Sequence, residues 1–152
     1  MLEATPHFPL SNRYRFFQEG AQVGTMRKSF WRRRAELVLP GATLHARARG
    51  VFRLRFFLER DGQVVATAVQ RNVLRNDVDL ELGGVTCLMQ RRGLLARKFD
   101  VLSDEPLGSI VRQGWVGKRA LIDLPPEWPL PLQFFTYFIV VVIWNRMEHH
   151  AG

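Results

Sequence analysis

The sequence has a single cysteine, Cys87, so it can form no internal disulfide, which fits a reducing compartment. It has little histidine, and none of it is placed for chemistry. His7 lies in a proline-flanked tail, His45 alternates outward on a strand pattern, and His149 and His150 follow the last apolar run. No His-x-x-x-His or paired-Cys spacing offers a metal site. Cys87 falls at core parity between Val85 and Met89 and reads as a small buried apolar residue. Gly83-Gly84 is a turn before a strand and not a phosphate loop, and Asp61, Asp77 and Asp104 read as turn residues. No nucleophile stands beside a base, so the sequence points away from an enzyme and names no cofactor. Residues 1–12 hold no apolar run of the kind a secretory signal needs, so the expectation is a cytoplasmic protein. Acidic residues are also in deficit. The 14 Asp and Glu face 22 Lys and Arg, a net charge of +8 that favours anionic partners.

What the chain does have is an internal repeat of about forty residues. Tyr14-Arg15-Phe16-Phe17 returns as Leu54-Arg55-Phe56-Phe57 and again as Arg97-Lys98-Phe99. Gln22-Val23-Gly24-Thr25 returns as Gln63-Val64-Val65-Ala66 and Leu107-Gly108-Ser109-Ile110. Glu36 to Gly41 returns as Asp79 to Gly84 and Leu121 to Pro126. Within a copy the apolar period is two, as in strands with one buried face. From His45 to Glu59 the inward set is Ala46, Ala48, Gly50, Phe52, Leu54, Phe56 and Leu58. The outward set includes Arg47, Arg49, Arg53 and Arg55, a basic ribbon along one strand face. Asp61-Gly62 makes a tight turn into the next strand. Each copy therefore supplies about four strands, and the third lacks its fourth. Three copies are too few for a propeller.

The composition changes after Pro125-Pro126-Glu127-Trp128-Pro129-Leu130-Pro131. Residues from Phe134 to Trp144 are almost all apolar, and the run continues from Leu132 to Arg146 without a turn signal. Its length predicts a helix over about 132–146, apolar on every side and so buried in protein or lipid. Leu130 to Trp144 would span about 22 Å, short of the ~30 Å of a bilayer core, so burial in protein is expected. Strands tilted in a barrel each occupy ~6 Å of circumference, so eight strands leave a radius near ~8 Å and twelve near ~12 Å. A helix packs ~10 Å from a sheet, so eight strands exclude it and eleven or twelve admit it. The fold class expected is mainly β, a closed barrel of about 11–12 mostly antiparallel strands around a buried apolar C-terminal helix. Residues 1–13 form an N-terminal extension and 14–148 a single barrel domain, with the extension able to supply one more strand.

This pattern resembles the tubby C-terminal superfamily, which includes the LURP-one-related proteins and the phospholipid scramblases. The residues that carry the resemblance are Phe56 to Val64, Phe99 to Leu102, Ile122 to Pro125 and Phe134 to Arg146. It extends over nearly the whole chain from Tyr14, in pattern and order. It implies the barrel around its helix and a role tied to anionic lipid or membranes. The calcium-binding acidic segment, cysteine-rich N-terminal region and acylation sites of scramblases have no counterpart here, and no residue of the tubby phosphoinositide site can be placed.

Four-strand spacing would bring one turn from each copy to the same end of the barrel. These turns hold Trp31, Arg32, Arg33 and Arg34, then Arg75, then Trp115, Lys118 and Arg119. Tryptophan beside arginine suits a membrane interface, where the ring inserts and the cation meets phosphate. The expectation is a non-catalytic binding or scaffold barrel that touches anionic phospholipid through this basic rim, peripherally attached where it does so. The alternative is a protein-interaction or structural module without a lipid role. Nucleic acid ranks below both, because few aromatics fall on outward faces where bases would stack.

Overall fold

The computed structural model describes residues 1–7, 12–29, 33–72, 76–93, 95, 97–114 and 117–151. Twelve strands run in chain order: β1 Leu2–Pro6, β2 Arg13–Gln18, β3 Ala21–Ser29, β4 Arg34–Leu39, β5 Ala42–Arg49, β6 Arg55–Arg60, β7 Gln63–Asn72, β8 Asp77–Leu82, β9 Val85–Arg92, β10 Lys98–Leu102, β11 Pro106–Arg112 and β12 Ala120–Asp123. One helix follows, α1 Leu130–Ala151. Every strand pairs antiparallel with its sequence neighbour, and β1 closes the barrel against β12.

The repeat is visible in the strands. The copies comprise β2–β5, β6–β9 and β10–β12. A register shift interrupts the first hairpin of each, at Phe16/Phe17, Leu58/Glu59 and Val101/Leu102. The first hairpin turns of the first two copies match residue for residue. Glu19-Gly20 and Asp61-Gly62 both take left-handed φ, 51° and 83° against 51° and 80°. That conformation gives the paired strands their right-handed twist, and glycine adopts it without strain.

The third copy ends in α1 instead of a fourth strand, and β1 fills the gap. Leu2, Glu3 and Ala4 pair with Ile122, Leu121 and Ala120 on one side, and residues 2–6 pair with β2 on the other. Within the predicted extension 1–13, Leu2–Pro6 is therefore the closing strand of the barrel, and Arg13 already belongs to β2. Leu2 and Ala4 alternate inward and are buried, which gives the segment its reason to pair.

Helix α1 runs down the middle of the barrel, and residues 133–144 are all buried. It is longer than the sequence predicts, starting at Leu130 and running to Ala151. Its segment Leu130–Glu148 is long and apolar enough to cross a membrane by length and composition alone. What it meets is the inner wall. Repeat-equivalent phenylalanines each receive an aromatic ring from it. Phe134 stacks on Phe16 with centroids 3.8 Å apart, and Tyr137 meets Phe16 edge-on at 5.6 Å. Phe138 meets Phe56 at 6.4 Å, and Trp144 meets Phe99 at 6.4 Å. Space for the helix comes from small inward residues: Ala4, Ala35, Ala46, Ala48, Ala66, Ala68 and Ala120. Gly24 leaves room for a helix side chain. A Cβ there would lie 2.5 Å from the Phe134 ring and 2.8 Å from the Val38 carbonyl oxygen.

The alternation from His45 to Glu59 breaks where the sequence suggests continuity. Residues 50–54 form the turn between β5 and β6, with Gly50 at φ 111°. Phe52, expected in the core, is 76% exposed. Inward residues carry even numbers on both flanking strands, so the turn leaves no mark in the parity.

Phe138 is wholly buried between the helix and the wall. Phe138→Ala should cost about 3–5 kcal/mol of unfolding free energy in denaturant titration. A loss under about 1 kcal/mol would mean that the helix is peripheral to stability.

Candidate functional site

Alternating strand direction sends the turns after β1, β3, β5, β7, β9 and β11 to one end of the barrel, here the basal end. The C-terminus of α1 emerges there too, since Arg146 and Glu148 bond to residues of these turns. The strands flanking all three basic turns therefore finish at this end. Trp31, Arg32, Arg75 and Trp115 themselves lie outside the described residues. The other four predicted residues have different surroundings. Arg33 donates from Nη1 to the Gly50 carbonyl at 2.7 Å. Arg34 opens β4 and is exposed. Arg119 is exposed and reaches Glu3 from Nε at 2.9 Å. Lys118 is turned inward and is 8% exposed, with Nζ 2.7 Å from Glu148 Oε2, so it serves the interior rather than an open rim.

Lys118 belongs to a latch on the end of α1. Arg112 reaches the other Glu148 oxygen at 2.8 Å and lies 5.1 Å over the Trp144 ring. Burial alone would raise the Glu148 carboxyl, but hydrogen bonds and charge from Lys118 and Arg112 outweigh it and hold the group below its ordinary value. Two residues earlier, Arg146 donates to the carbonyls of Val51 and Phe52 at 2.9 and 2.8 Å, and to Gln70 Oε1 at 3.2 Å. Tyr137 donates from its hydroxyl to the Lys118 carbonyl. Lys28 on β3 points into the same end and is 6% exposed. Burial lowers its amine to about 8, and the charges of Lys118 and Arg33 push the same way.

The main accumulation of positive charge lies beside this end, on the outer wall of β2–β6. Register places Arg13 opposite Arg27, Arg34 opposite Arg47, and Arg49 opposite Arg55. Like charges directly opposite one another on a sheet repel. Arg53 lies exposed in the turn between the last two strands. The acids interspersed are Glu36, opposite Arg27 and His45, and Glu59, 2.8 Å from Arg47. Elsewhere basic wall residues are neutralised, Arg71 by Asp79 and Arg92 by Asp100, each at 2.6 Å. Among the described residues, Arg27, Arg34, Arg49 and Arg55 have no ion pair of that kind. A depression of about 840 Å³ opens on this wall, lined by Arg13, Arg27, Arg34, Glu36, His45 and Arg47 among others.

The Arg47–Arg49–Arg53–Arg55 ribbon predicted for one strand is therefore split between two strands and their turn. Arg13 and Arg27 complete the wall, and sequence reasoning missed them. Their juxtaposition depends on register shifts that composition does not reveal. Among the described residues, no group of three or more His, Cys, Asp or Glu could hold a metal ion. No family model, curated protein or solved structure matches the chain.

The buried amine makes a pH prediction. A lysine whose folded pKa falls below its unfolded value leaves the unfolded state holding more protons between the two, so stability rises with pH there. Lys28 should therefore destabilise the barrel fully below about pH 8, and that effect should fade towards its ordinary 10.5. Lys28→Met should be more stable than the parent at pH 7, with the difference shrinking over that interval in denaturant titrations. A difference independent of pH would mean that the amine is not buried as described.

Proposed function

We propose that the chain is a tubby-like, non-catalytic binding barrel that docks on anionic phospholipid through the arginine wall of β2–β6, with the basal rim at its edge. The observation that carries this reading is the three cross-strand arginine pairs on one contiguous outer wall. Among the described residues Arg27, Arg34, Arg49 and Arg55 on this wall are exposed and have no carboxylate within ion-pair distance, so their charge is open to an external anion. A membrane surface suits them because a wall spanning several strands meets many headgroups at once, each basic residue contributing about 1 kcal/mol. Single-stranded nucleic acid suits them less. The outward rings of Phe17 and Phe57 lie under the guanidiniums of Arg15 and Arg47, at 5.8 and 4.7 Å, where a base would need to stack. The family resemblance in repeat and helix points in the same direction.

Replacing Arg27, Arg34 and Arg49 together by Gln tests the reading. Binding to phosphatidylserine-containing vesicles in a flotation assay should weaken about a hundredfold. The thermal midpoint should hold, because the three side chains are exposed and have no ion pair among the described residues. Parent and variant should both ignore neutral phosphatidylcholine vesicles. Parent protein that fails to float with acidic vesicles at low ionic strength would overturn the reading and leave a protein-interaction module as the alternative.

A further inference from the structure

The turn between β5 and β6 presents Val51 and Phe52 side by side, 75% and 76% exposed. Isolated exposed apolar residues are ordinary on a protein surface, but this pair has three features that set it apart. First, its backbone is held from behind. The Gly50 carbonyl accepts from Arg33, and the Val51 and Phe52 carbonyls accept from Arg146 on the end of the buried helix. Arg146 spends its guanidinium on this turn although burial, with repulsion from Arg33, lowers its pKa. Second, Gly50 takes φ 111°, and a Cβ there would lie 2.2 Å from the Arg53 carbonyl oxygen, so the turn is closely closed. Third, the exposed Arg49, Arg53 and Arg55 flank the pair in sequence, at the ends of β5 and β6 and in the turn, with Arg53 donating from Nε to the Gln70 carbonyl at 2.8 Å.

An exposed apolar tip flanked in the chain by arginines, with the carbonyls of three successive residues already satisfied, meets the requirement for entering the lipid boundary. Carbonyls that leave water there must have partners, and cations just above an inserted side chain sit at phosphate level.

We propose that the Val51–Phe52 tip inserts into the headgroup–acyl boundary of an anionic bilayer, with the barrel tilted so that the arginine wall lies against the same surface. This rests on the lipid reading above and adds depth and orientation to it. The tilt follows from placement. The wall centres on β4, and the β9–β10 turn, with Leu95 69% exposed, lies nearly opposite β4 around the twelve strands. An upright barrel would insert both tips, whereas a tilted one inserts Val51 and Phe52 and keeps Leu95 in water.

The test attaches an environment-sensitive fluorophore to a single cysteine at Phe52, Leu95 or Val64, in protein carrying Cys87→Ala. Val64 is exposed at the opposite end of the barrel and serves as the solvent reference. Each labelled protein is bound to phosphatidylserine-containing vesicles, with flotation measured on the same samples. The expected result is a blue shift and quenching by spin-labelled lipid at Phe52→Cys only. Val51→Ser with Phe52→Ser should weaken flotation about tenfold with an unchanged thermal midpoint. Protein that floats while the label at 52 stays water-like overturns the insertion and leaves the electrostatic reading standing. Equal shifts at 52 and 95 overturn the tilt. Protein that does not float overturns both.

Discussion

The structure depends on filling a barrel that is too wide to fill itself. A closed wall of twelve strands cannot meet across its own interior with side chains alone. Helix α1 supplies the missing core, and the wall is shaped to receive it. Phe16, Phe56 and Phe99 hold equivalent places in the three copies, and each takes an aromatic ring from the helix at its own level. Alanines line the wall between them, and Gly24 makes room for the Phe134 ring. Because the helix presents apolar side chains on every side, wall and plug bury one another's apolar surface, and neither has another place to hide it.

The same helix organises the basal end. Its last turns leave the apolar core and carry Arg146 and Glu148 to opposite neighbourhoods of the rim. Glu148 gathers Arg112 and Lys118 inward, which removes two cations from the surface. Arg146 fastens the β5–β6 turn from below. The position of the exposed Val51–Phe52 tip and the seating of the plug are thus coupled through one side chain. The surplus positive charge stays on the wall of β2–β6, where carboxylates are too few to match it.

The barrel could be read from the sequence because its signals are local and repeated. Inward parity, the Asp61-Gly62 turn and the long apolar run each depend on neighbouring residues. Three copies plus a helix that must be enclosed then fix the scale of the barrel. The functional surface was less legible because it depends on pairing. Arg13 meets Arg27 only through the register of β2 on β3, which shifts at Phe16/Phe17. Arg49 meets Arg55 only because the chain turns at Gly50, and there the inward parity runs on unbroken through the turn, so that Phe52 reads as core. Lys118 reads as a rim cation until Glu148, thirty residues later, is seen to draw it in. The closing strand β1 was legible only as a possibility, since Leu2 and Ala4 are too short a pattern to name a partner.

The claim on which the rest stands is that α1 and the wall are one cooperative unit. Native-state amide hydrogen exchange measures this most directly, residue by residue. If the account is right, the amides of Tyr137 to Ile143 exchange only by global unfolding, with the same free energy as those at the centres of β6 and β8. Exchange from the helix at a distinctly lower free energy, while the strands stay protected, would show a barrel that stands without its plug and would contradict it.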